Sequence, residues 1–477
     1  MPTLYTALRT HVAKPKKRKK RLFRLSLKQR FKRIHPLSKP KRVIVIGAGF
    51  AGLAAAYELN SVGYDVTVVE GRGDVGGRVN SLDKFSPGLV AEGGAELIGS
   101  NHHAWLSYRH AFNLHFSDVL DPPNSPVILG GWRLSHREAQ VLQKELKQAT
   151  GKLNGAARHV NEDKPWKSPG ARGLDRLSLK DAVERMPGVS ALCKLALIEQ
   201  LVADNGVPAA DQSYLGVLAM IKGGGGKEYW EDTEVFRCIG GNQKLAWSLA
   251  ASLPKSSVRC HHRVKEIHVT RRARDGVKVI FWKGKPETGD DVILTIPPSV
   301  WPDVKIKPHL PRKYRGQFGK NVKYLMNVRK NSWMPISPSL STDGPVDLTW
   351  QATDHQPGPR AVLVGFSGSK NALICSNAKN RKGFYLAELT PVYPRIGKGI
   401  GRCKFMNWPK NQWTHGSYSF PAPGEVTRTG PLLRKPFNGR LHFAGEHTCY
   451  AFVGYMEGAL QSGLRIAEQL ARRDKII

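Results

Sequence analysis

The fold is decided by residues 41–72, which read "KRVIVIGAGFAGLAAAYELNSVGYDVTVVEGR". A β-branched run leads into Gly47, Gly49 and Gly52, and a helical pattern and a second strand follow. Between a strand and a helix, such glycines make a tight turn, let the backbone approach a pyrophosphate, and let the helix pack closely on the strand. The N-terminus of the helix then attracts the phosphates. The stretch therefore predicts an α/β, Rossmann-like dinucleotide-binding unit.

The second strand of this unit ends on an acid. Glu70 follows Gly52 by 18 residues, the position from which an acidic side chain accepts hydrogen bonds from ribose hydroxyls. An acid instead of an arginine favours a ribose without a 2′-phosphate. The nucleotide is thus NAD or FAD.

The next glycines favour FAD. Residues 73–81, "GDVGGRVNS", contain Gly76, Gly77 and Arg78. They resemble the second flavin signature of the flavin-containing monoamine oxidases, the FAD-dependent amine oxidase family, and "VAEGGAELIGSNHHAW" (residues 90–105) continues the resemblance. In that family the Gly-Gly-Arg loop lies against the pyrophosphate and the isoalloxazine, so the resemblance implies FAD.

Two later stretches resemble further flavin-binding pieces of the family. Residues 234–253, "EVFRCIGGNQKLAWSLAASL", look like its Gly-Gly turn into a helix, and strand-like alternation follows, with Arg-Asp-Gly at 274–276 as a hairpin turn. Val264 stands where family members bind the adenine end through backbone groups. "DVILTIPPSVW" (residues 291–301) reads as a buried strand with a Pro-Pro stop.

The C-terminal stretch "FAGEHTCYAFVGYMEGALQSGLRIAEQL" (residues 443–470) is similar to the final flavin-binding element of the family. The resemblance implies that Gly445 and Glu446 face the pyrophosphate and ribityl chain, and that Tyr455 and Met456 meet the flavin ring. A helix beginning at Met456 would point its positive end at the pyrimidine edge and stabilise reduced, anionic flavin.

The resemblance also implies catalytic residues. Lys323, in "NVKYLMNVRKNSWM", matches the strand lysine that holds a water against flavin N5, and a buried lysine is costly unless it is used. Tyr418 and Tyr455 would be the two walls of an aromatic cage that steers a neutral amine onto the flavin. Ser417 replaces the cysteine of covalently flavinylated members, which predicts non-covalent FAD.

The flavin pieces divide the chain. Residues 43–96, 232–300 and 408–473 are predicted to form the FAD-binding domain, interleaved with an α+β substrate domain from residues 97–231 and 301–407. Residues 1–42 hold 16 Lys or Arg of a chain with net charge +36, and no acid, so a mostly disordered basic tail is expected there, with a basic amphipathic helix as an option for the part that contains Phe23, Leu25, Leu27 and Phe31. Such a tail suits a polyanion or a membrane surface.

The expected reaction is FAD-dependent oxidation of a small primary amine or amino acid by O2, with release of hydrogen peroxide. An L-amino-acid oxidase needs a carboxylate-binding cation, for which Arg237 is the candidate. The acids at residues 228–234 are either a lid attracting cations or a solvated turn. The global positive charge disfavours polycationic substrates. Two alternatives stay open: a flavin-dependent desaturase or porphyrinogen-type oxidase, and an inert flavoprotein with a polyanion-binding tail.

The remaining composition sets weaker limits. The six cysteines include no Cys-x-x-Cys pair, which fits neither a disulfide scaffold nor a zinc site and favours a reducing, cytoplasmic setting. The glycine-interrupted apolar run after the tail is not expected to be a signal peptide. Oligomeric state is open, with a dimer as one option.

Overall fold

A computed structural model describes residues 27–31, 34–35, 37–119, 125–270 and 276–477. Its α-helices are, in chain order, α1 Leu27–Arg30, α2 Phe50–Ser61, α3 His103–Ala111, α4 His136–Ala157, α5 Ala171–Arg176, α6 Leu179–Glu184, α7 Ala191–Asn205, α8 Tyr214–Gly223, α9 Lys227–Asp232, α10 Gln243–Ala251, α11 Ser369–Asn377, α12 Arg381–Leu389, α13 Ile396–Gly399, α14 Glu425–Leu433 and α15 Met456–Arg473.

The strands are, in chain order, β1 Arg42–Ile46, β2 Asp65–Val69, β3 Ser81–Ser86, β4 Leu89–Glu92, β5 Phe116–Asp118, β6 Val127–Leu129, β7 Trp132–Arg133, β8 Phe236–Cys238, β9 Val258–Arg259, β10 Val264–Val269, β11 Val277–Phe281, β12 Glu287–Gly289, β13 Asp291–Leu294, β14 Lys305–Lys307, β15 Asn321–Arg329, β16 Leu340–Thr342, β17 Leu348–Gln351, β18 Arg360–Gly368, β19 Cys403–Asn407 and β20 Leu441–Phe443. They form three main sheets.

The first sheet is parallel and has the order β20-β13-β1-β2-β9. Both of its faces are buried, so β1 is a continuous apolar run and not an alternating one. Val43 and Val45 face the core around α2 and α15, whereas Ile44 and Ile46 face the core shared with β10 and β11. The predicted Rossmann-like α/β fold is confirmed.

Helices α2 and α15 pack directly on each other because small residues line their contact. A Cβ added to Gly463 of α15 would lie 2.4 Å from the carbonyl oxygen of Ala51 and 2.9 Å from the backbone nitrogen of Ala55 in α2. Only glycine allows this approach. The C-terminal helix is thereby docked beside the first glycine loop.

Gly463→Ala is expected to lower the free energy of unfolding by about 1–3 kcal/mol, since the added methyl forces two packed helices apart. Gly151→Ala in α4 is the matched control: nothing lies within 4 Å of its added Cβ. Because alanine is the better helix former, the control should gain up to about 1 kcal/mol. Scanning calorimetry of the two variants should show shifts of Tm in opposite directions, and equal shifts would contradict the packing described.

The second sheet, β12-β11-β10-β14, covers one face of the parallel sheet. The predicted hairpin exists, with Val264 opposite Phe281 and Val269 opposite Val277. Its turn, including Arg274 and Asp275, lies outside the described residues apart from Gly276, which has φ +54°.

The third sheet has the order β19-β15-β18-β17-β16-β6-β7 and carries the substrate side of the molecule. Its long central strands β15 and β18 pair antiparallel over nine residues, from Asn321 opposite Gly368 to Arg329 opposite Arg360. Helices α4, α7 and α8 form a separate apolar cluster beside it.

The strands of the first and third sheets divide along the two groups of predicted ranges and three other elements cross between them; the domain assignment itself stays a prediction. All five parallel strands come from the ranges assigned to the FAD-binding domain, and all seven strands of the third sheet come from the substrate ranges. However, α3 packs in the core of the parallel sheet through Trp105, β14 joins the second sheet, and β4 packs on the third sheet through Leu89. Non-local packing, which no local pattern encodes, sets these boundaries.

The expectation of disorder up to residue 42 is wrong for its last part. Leu27 is fully buried, and its N–H donates to Glu58 Oε2 at 2.5 Å. Arg30 Nη1 donates to Glu468 Oε2 at 3.2 Å, and Arg42 opens β1. The apolar residues in the basic stretch explain the difference, since they add to the core. Residues 1–26, with most of the basic tail, lie outside the described residues.

Within the described ranges, none of the helices combines the length and the apolar character that a membrane crossing requires.

Candidate active site

A large cavity begins at the carboxyl ends of β1 and β2 and continues to the third sheet. Its first end is lined by Gly47 and Glu70, and its far end by Lys323, Trp350 and Tyr418. Open parallel sheets bind their ligands beyond the carboxyl ends of the strands. The topology therefore points to this cavity before any side chain is considered.

The first glycine loop forms one wall of the cavity. Gly47 has φ +107°, a value that favours glycine, and its N–H donates to Val69 O at 2.8 Å. A Cβ at Gly52 would lie 2.0 Å from Gly47 O, so helix α2 and the turn need glycine there. Gly49 caps α2 without any side-chain hydrogen bond to the free N–H groups of its first turn.

Glu70 and Val264 lie at the same end of the cavity. The carboxylate of Glu70 accepts the N–H of Ala48 through Oε2 and the N–H of Arg72 through Oε1, both at 2.9 Å. Glu70 thus fixes the glycine loop itself. Its contact with a ribose, and that of Val264 with an adenine, stay predictions.

The second glycine loop joins the first. The N–H of Gly76 donates to Ala48 O at 2.8 Å, and a Cβ at Gly76 would lie 2.7 Å from Val79 O. Gly77 has φ +63°. The next residue, Arg78, lines the cavity, and its Nη1 donates to Ser417 O at 3.0 Å and to Glu446 Oε1 at 2.7 Å.

Glu446 holds three distant segments together. Besides Arg78, it accepts the N–H of Ser419 at 3.1 Å, the hydroxyl of Ser419 at 2.5 Å and the N–H of Gly454 at 2.8 Å. Burial opposes its charge, yet Arg78 holds the pKa of Glu446 below the ordinary value. Its carboxylate is occupied by these donors, so Glu446 shapes the cavity through its neighbours.

The C-terminal segment closes the cavity. Gly445 has φ +137°, and its N–H donates to Ser462 Oγ at 2.8 Å. Tyr455 is the N-cap of α15, Met456 is its first residue, and both line the cavity with Gly445. The positive end of this 18-residue helix therefore faces the cavity.

Lys323 is the buried cation of the third sheet, at 6% exposure. Its Nζ donates to Gly94 O and to Glu96 Oε2, both at 2.8 Å, and lies 5.4 Å from the ring centroid of Trp350. Burial alone would raise the pKa of Glu96, but Lys323 and Arg237 lower it to about 2. The ion pair therefore keeps the Glu96 carboxylate ionised at the cavity wall.

Arg237 does not reach the cavity, and the prediction that it binds substrate is wrong. It is 7% exposed, and its guanidinium donates to Glu96 Oε1 and Asp354 Oδ2, both at 2.8 Å, and to Gln351 O at 3.1 Å. A guanidinium with two carboxylate partners has no free face for a third. The sequence showed an arginine near the site but not its partners, which come from distant strands.

Tyr418 and Tyr455 both line the far end of the cavity. The Tyr418 hydroxyl donates to the backbone carbonyl of Asp204, and burial raises the pKa of Tyr418 well above its ordinary value. The Tyr455 ring lies 5.6 Å from His102 and 6.3 Å from Phe452, edge to face. Both rings are fixed by neighbours, and their action as a cage stays a prediction.

Known proteins with related sequences decide the identity of the site. Residues 50–471 match the profile of a family described as flavin containing amine oxidoreductase. The chain belongs to this family. Its relatives include the AofH protein of Mycobacterium tuberculosis H37Rv, whose name assigns it to the flavin-containing monoamine oxidases. That protein is 29% identical over 456 residues, 90% of this chain and 96% of AofH.

Other proteins are similar to this amine oxidoreductase in sequence or in structure. Amine oxidase A of Sus scrofa is 25% identical over 90% of this chain and 84% of its own length. Solved structures of putrescine oxidase bound to putrescine and of cyclohexylamine oxidase from Brevibacterium oxydans superpose with TM-scores of 0.82 and 0.81. They are 24% and 22% identical, and the alignments cover 91% of this chain and 100% and 99% of theirs. The amine oxidase fold and the FAD cofactor are thereby confirmed.

The cavity of the oxidoreductase fits FAD. A Cβ at Gly49 would meet only Gly76 O, at 4.0 Å, so the two glycine loops leave a cradle in which backbone, and no side chain, meets the ligand. The N-termini of helices α2 and α15 border the cavity. The positive ends of the two helix dipoles would favour the negatively charged pyrophosphate of FAD and its electron-rich flavin ring.

Asp204 and Glu234 are two carboxylates of the oxidoreductase that line the cavity; sequence reasoning missed Asp204 and considered Glu234 only within the acids of residues 228–234, as a lid attracting cations or a solvated turn. A signal for Asp204 was present, since an aspartate that is even partly buried, near the end of the largely apolar helix "ALCKLALIEQLVADN", loses hydration. Glu234 follows helix α9, which replaces the solvated turn offered for residues 228–234. Of that acidic group, Glu234 is the residue that borders the cavity.

Proposed function

We propose that this FAD-dependent oxidoreductase oxidises a small primary amine with O2. An amine R–CH2–NH2, O2 and water would give R–CHO, ammonia and hydrogen peroxide, with an imine as the intermediate that water hydrolyses. Bound FAD would take up the hydrogen and the electron pair of the C–H bond and pass them to O2. The observation that carries the proposal is that Tyr418, Tyr455 and Lys323 line the same cavity as the two glycine loops, together with two carboxylates.

The two tyrosines would orient the substrate. Their hydroxyls are already hydrogen-bonded within the protein, that of Tyr418 to Asp204 O and that of Tyr455 to Tyr229. Their ring faces are then available to an alkylamine, from which they exclude water. The amine nitrogen would reach its reacting position as the neutral base.

Lys323 would serve as a donor at the reacting end of the cavity. Two of its N–H groups are directed to Gly94 O and Glu96 Oε2. The third acceptor near Nζ is Glu92 O at 3.4 Å, a long contact that a water molecule or O2-derived charge would replace. A fixed cation stabilises negative charge as it develops on O2, which is the electrostatic role assigned to it here.

The structure weakens the amino-acid alternative. Arg237 is held by Glu96 and Asp354, and the carboxylates of Asp204 and Glu234 border the substrate end. A substrate carboxylate beside two protein carboxylates would be repelled. We therefore retain the amine and set aside the amino acid.

FAD is proposed to be bound without a covalent link. The hydroxyl of Ser417 donates to Asn321 Oδ1 at 2.6 Å and offers no thiolate. After acid precipitation the flavin should remain in the supernatant.

A peroxide-release assay tests the function. The yellow protein is expected to release hydrogen peroxide with primary alkylamines or aralkylamines, and not with L-amino acids. The control is the same protein with each compound under argon, followed by aeration. Flavin-loaded protein that is inactive with every amine would favour the desaturase or the inert alternative, and activity confined to L-amino acids would overturn the substrate class.

A further inference from the structure

Asp204 occupies a position from which it can select the substrate. It is the penultimate residue of α7, it borders the cavity, and its backbone carbonyl accepts the hydroxyl of Tyr418. The Asp204 side chain therefore belongs to a residue whose backbone is hydrogen-bonded to Tyr418, one of the two predicted cage residues. A group bound by Asp204 would belong to the same molecule that lies between the tyrosines.

The carboxylate of Asp204 is incompletely satisfied. Oδ2 accepts the side-chain amide of Gln200 at 2.6 Å, whereas Oδ1 is buried and has no hydrogen-bond partner. None of the lysines and arginines in the described ranges forms an ion pair with it. A buried acceptor without a partner costs roughly 1–3 kcal/mol, and more if it is charged.

Two further features make this end of the cavity negative. Glu234 lines it, and burial together with the charge of Glu234 raises the pKa of Asp204 to about 7. Asp204 also stands in the last turn of α7, where the backbone carbonyls add negative potential. An aspartate at this place destabilises the free protein, and a bound cation would remove the cost.

We propose that the substrate carries a second cationic group, and that Asp204 binds it while Glu234 adds to the field. The substrate class is an α,ω-diamine: one amine is oxidised between the tyrosines, and the other remains an ammonium ion at Asp204. This inference rests on the proposed amine oxidase function. The chain's net charge of +36 repels a dication during its approach, and salt screens that repulsion. Once bound, the second cationic group of the substrate would meet the local negative charge of Asp204 and Glu234.

The test compares n-alkylamines with α,ω-diaminoalkanes of equal chain length, using kcat/KM from peroxide release. The wild-type protein should prefer the diamine. Asp204→Asn keeps the shape and the Gln200 contact but removes the charge, and it should lower kcat/KM for diamines by about 10- to 100-fold, the equivalent of one charged hydrogen bond. The loss for monoamines should be smaller, so that the ratio of kcat/KM for the diamine to kcat/KM for the monoamine falls in Asp204→Asn.

Asp211→Asn, an exposed aspartate a few residues along the chain, is the matched control and should change neither substrate. Glu234→Gln should shift the preference in the same direction and by less. FAD content and circular dichroism verify that each variant is folded. If Asp204→Asn does not fold, the substrate preference of Glu234→Gln serves as the test in its place. An unchanged diamine preference in the folded variants, or equal losses of kcat/KM for both substrates, would overturn the inference and leave the proposed amine oxidase function standing. If the wild-type protein turned over neither series of amines, the proposed function itself would be overturned.

Discussion

Gly49→Val is expected to yield a folded protein without FAD. Gly49 has φ −78° and ψ 178°, which valine adopts without strain, and its added Cβ would meet only Gly76 O at 4.0 Å. The branched side chain would instead fill the space between the glycine loops that the pyrophosphate needs. We expect FAD binding to weaken by roughly 100-fold or more, about 3 kcal/mol of steric conflict.

Gly397→Val is the control for this variant. Gly397 is exposed, nothing lies within 4 Å of its added Cβ, and it does not border the cavity. Titration of each apoprotein with FAD, followed by flavin fluorescence, gives the affinities. Wild-type affinity in Gly49→Val would show that the pyrophosphate is bound elsewhere.

Lys323→Met is expected to lower kcat by on the order of 100-fold and to leave FAD bound, as the loss of one charged donor at a reacting centre does in other enzymes. Methionine keeps the length of the side chain and its packing on Trp350. Glu96 keeps Arg237 and the indole N–H of Trp350, which donate to Oε1 at 2.8 and 2.9 Å. The change therefore removes the donor while most of the ion-pair network persists.

Rapid-mixing measurements should separate the two halves of the reaction in Lys323→Met. The slow step is expected in the reaction with O2, where negative charge develops. Lys404→Met on the neighbouring strand β19 is the control, because Lys404 is exposed. Rates within about threefold of wild type in both halves would exclude a role for Lys323 at the reacting centre.

The local parts of the site could be predicted from sequence. The loop from Gly47 to Gly52 and the loop at Gly76 depend on backbone conformations that only a few residues allow, so their spacing carries the information. The final helix was predicted to begin at Met456 from the resemblance to the last flavin-binding element of the family, and the structure begins it there.

The parts that depend on distant partners could not be predicted. Arg237 was taken for a substrate residue because its partners Glu96 and Asp354 come from other segments of the chain, 141 and 117 residues away. Asp204 was overlooked because its importance arises from its approach to Tyr418, 214 residues later. A charged residue in an apolar stretch suggests that its side chain has a role, but only the fold shows which residues it contacts and therefore what that role is.

The absorption spectrum of the purified full-length protein, recorded before and after anaerobic addition of an amine, tests the central claim most directly. We predict the visible bands of oxidised flavin, their loss on addition of an α,ω-diaminoalkane or an alkylamine, and their return on admission of O2. A protein that stays colourless after reconstitution with FAD, or flavin bands that persist with every amine, would contradict the account.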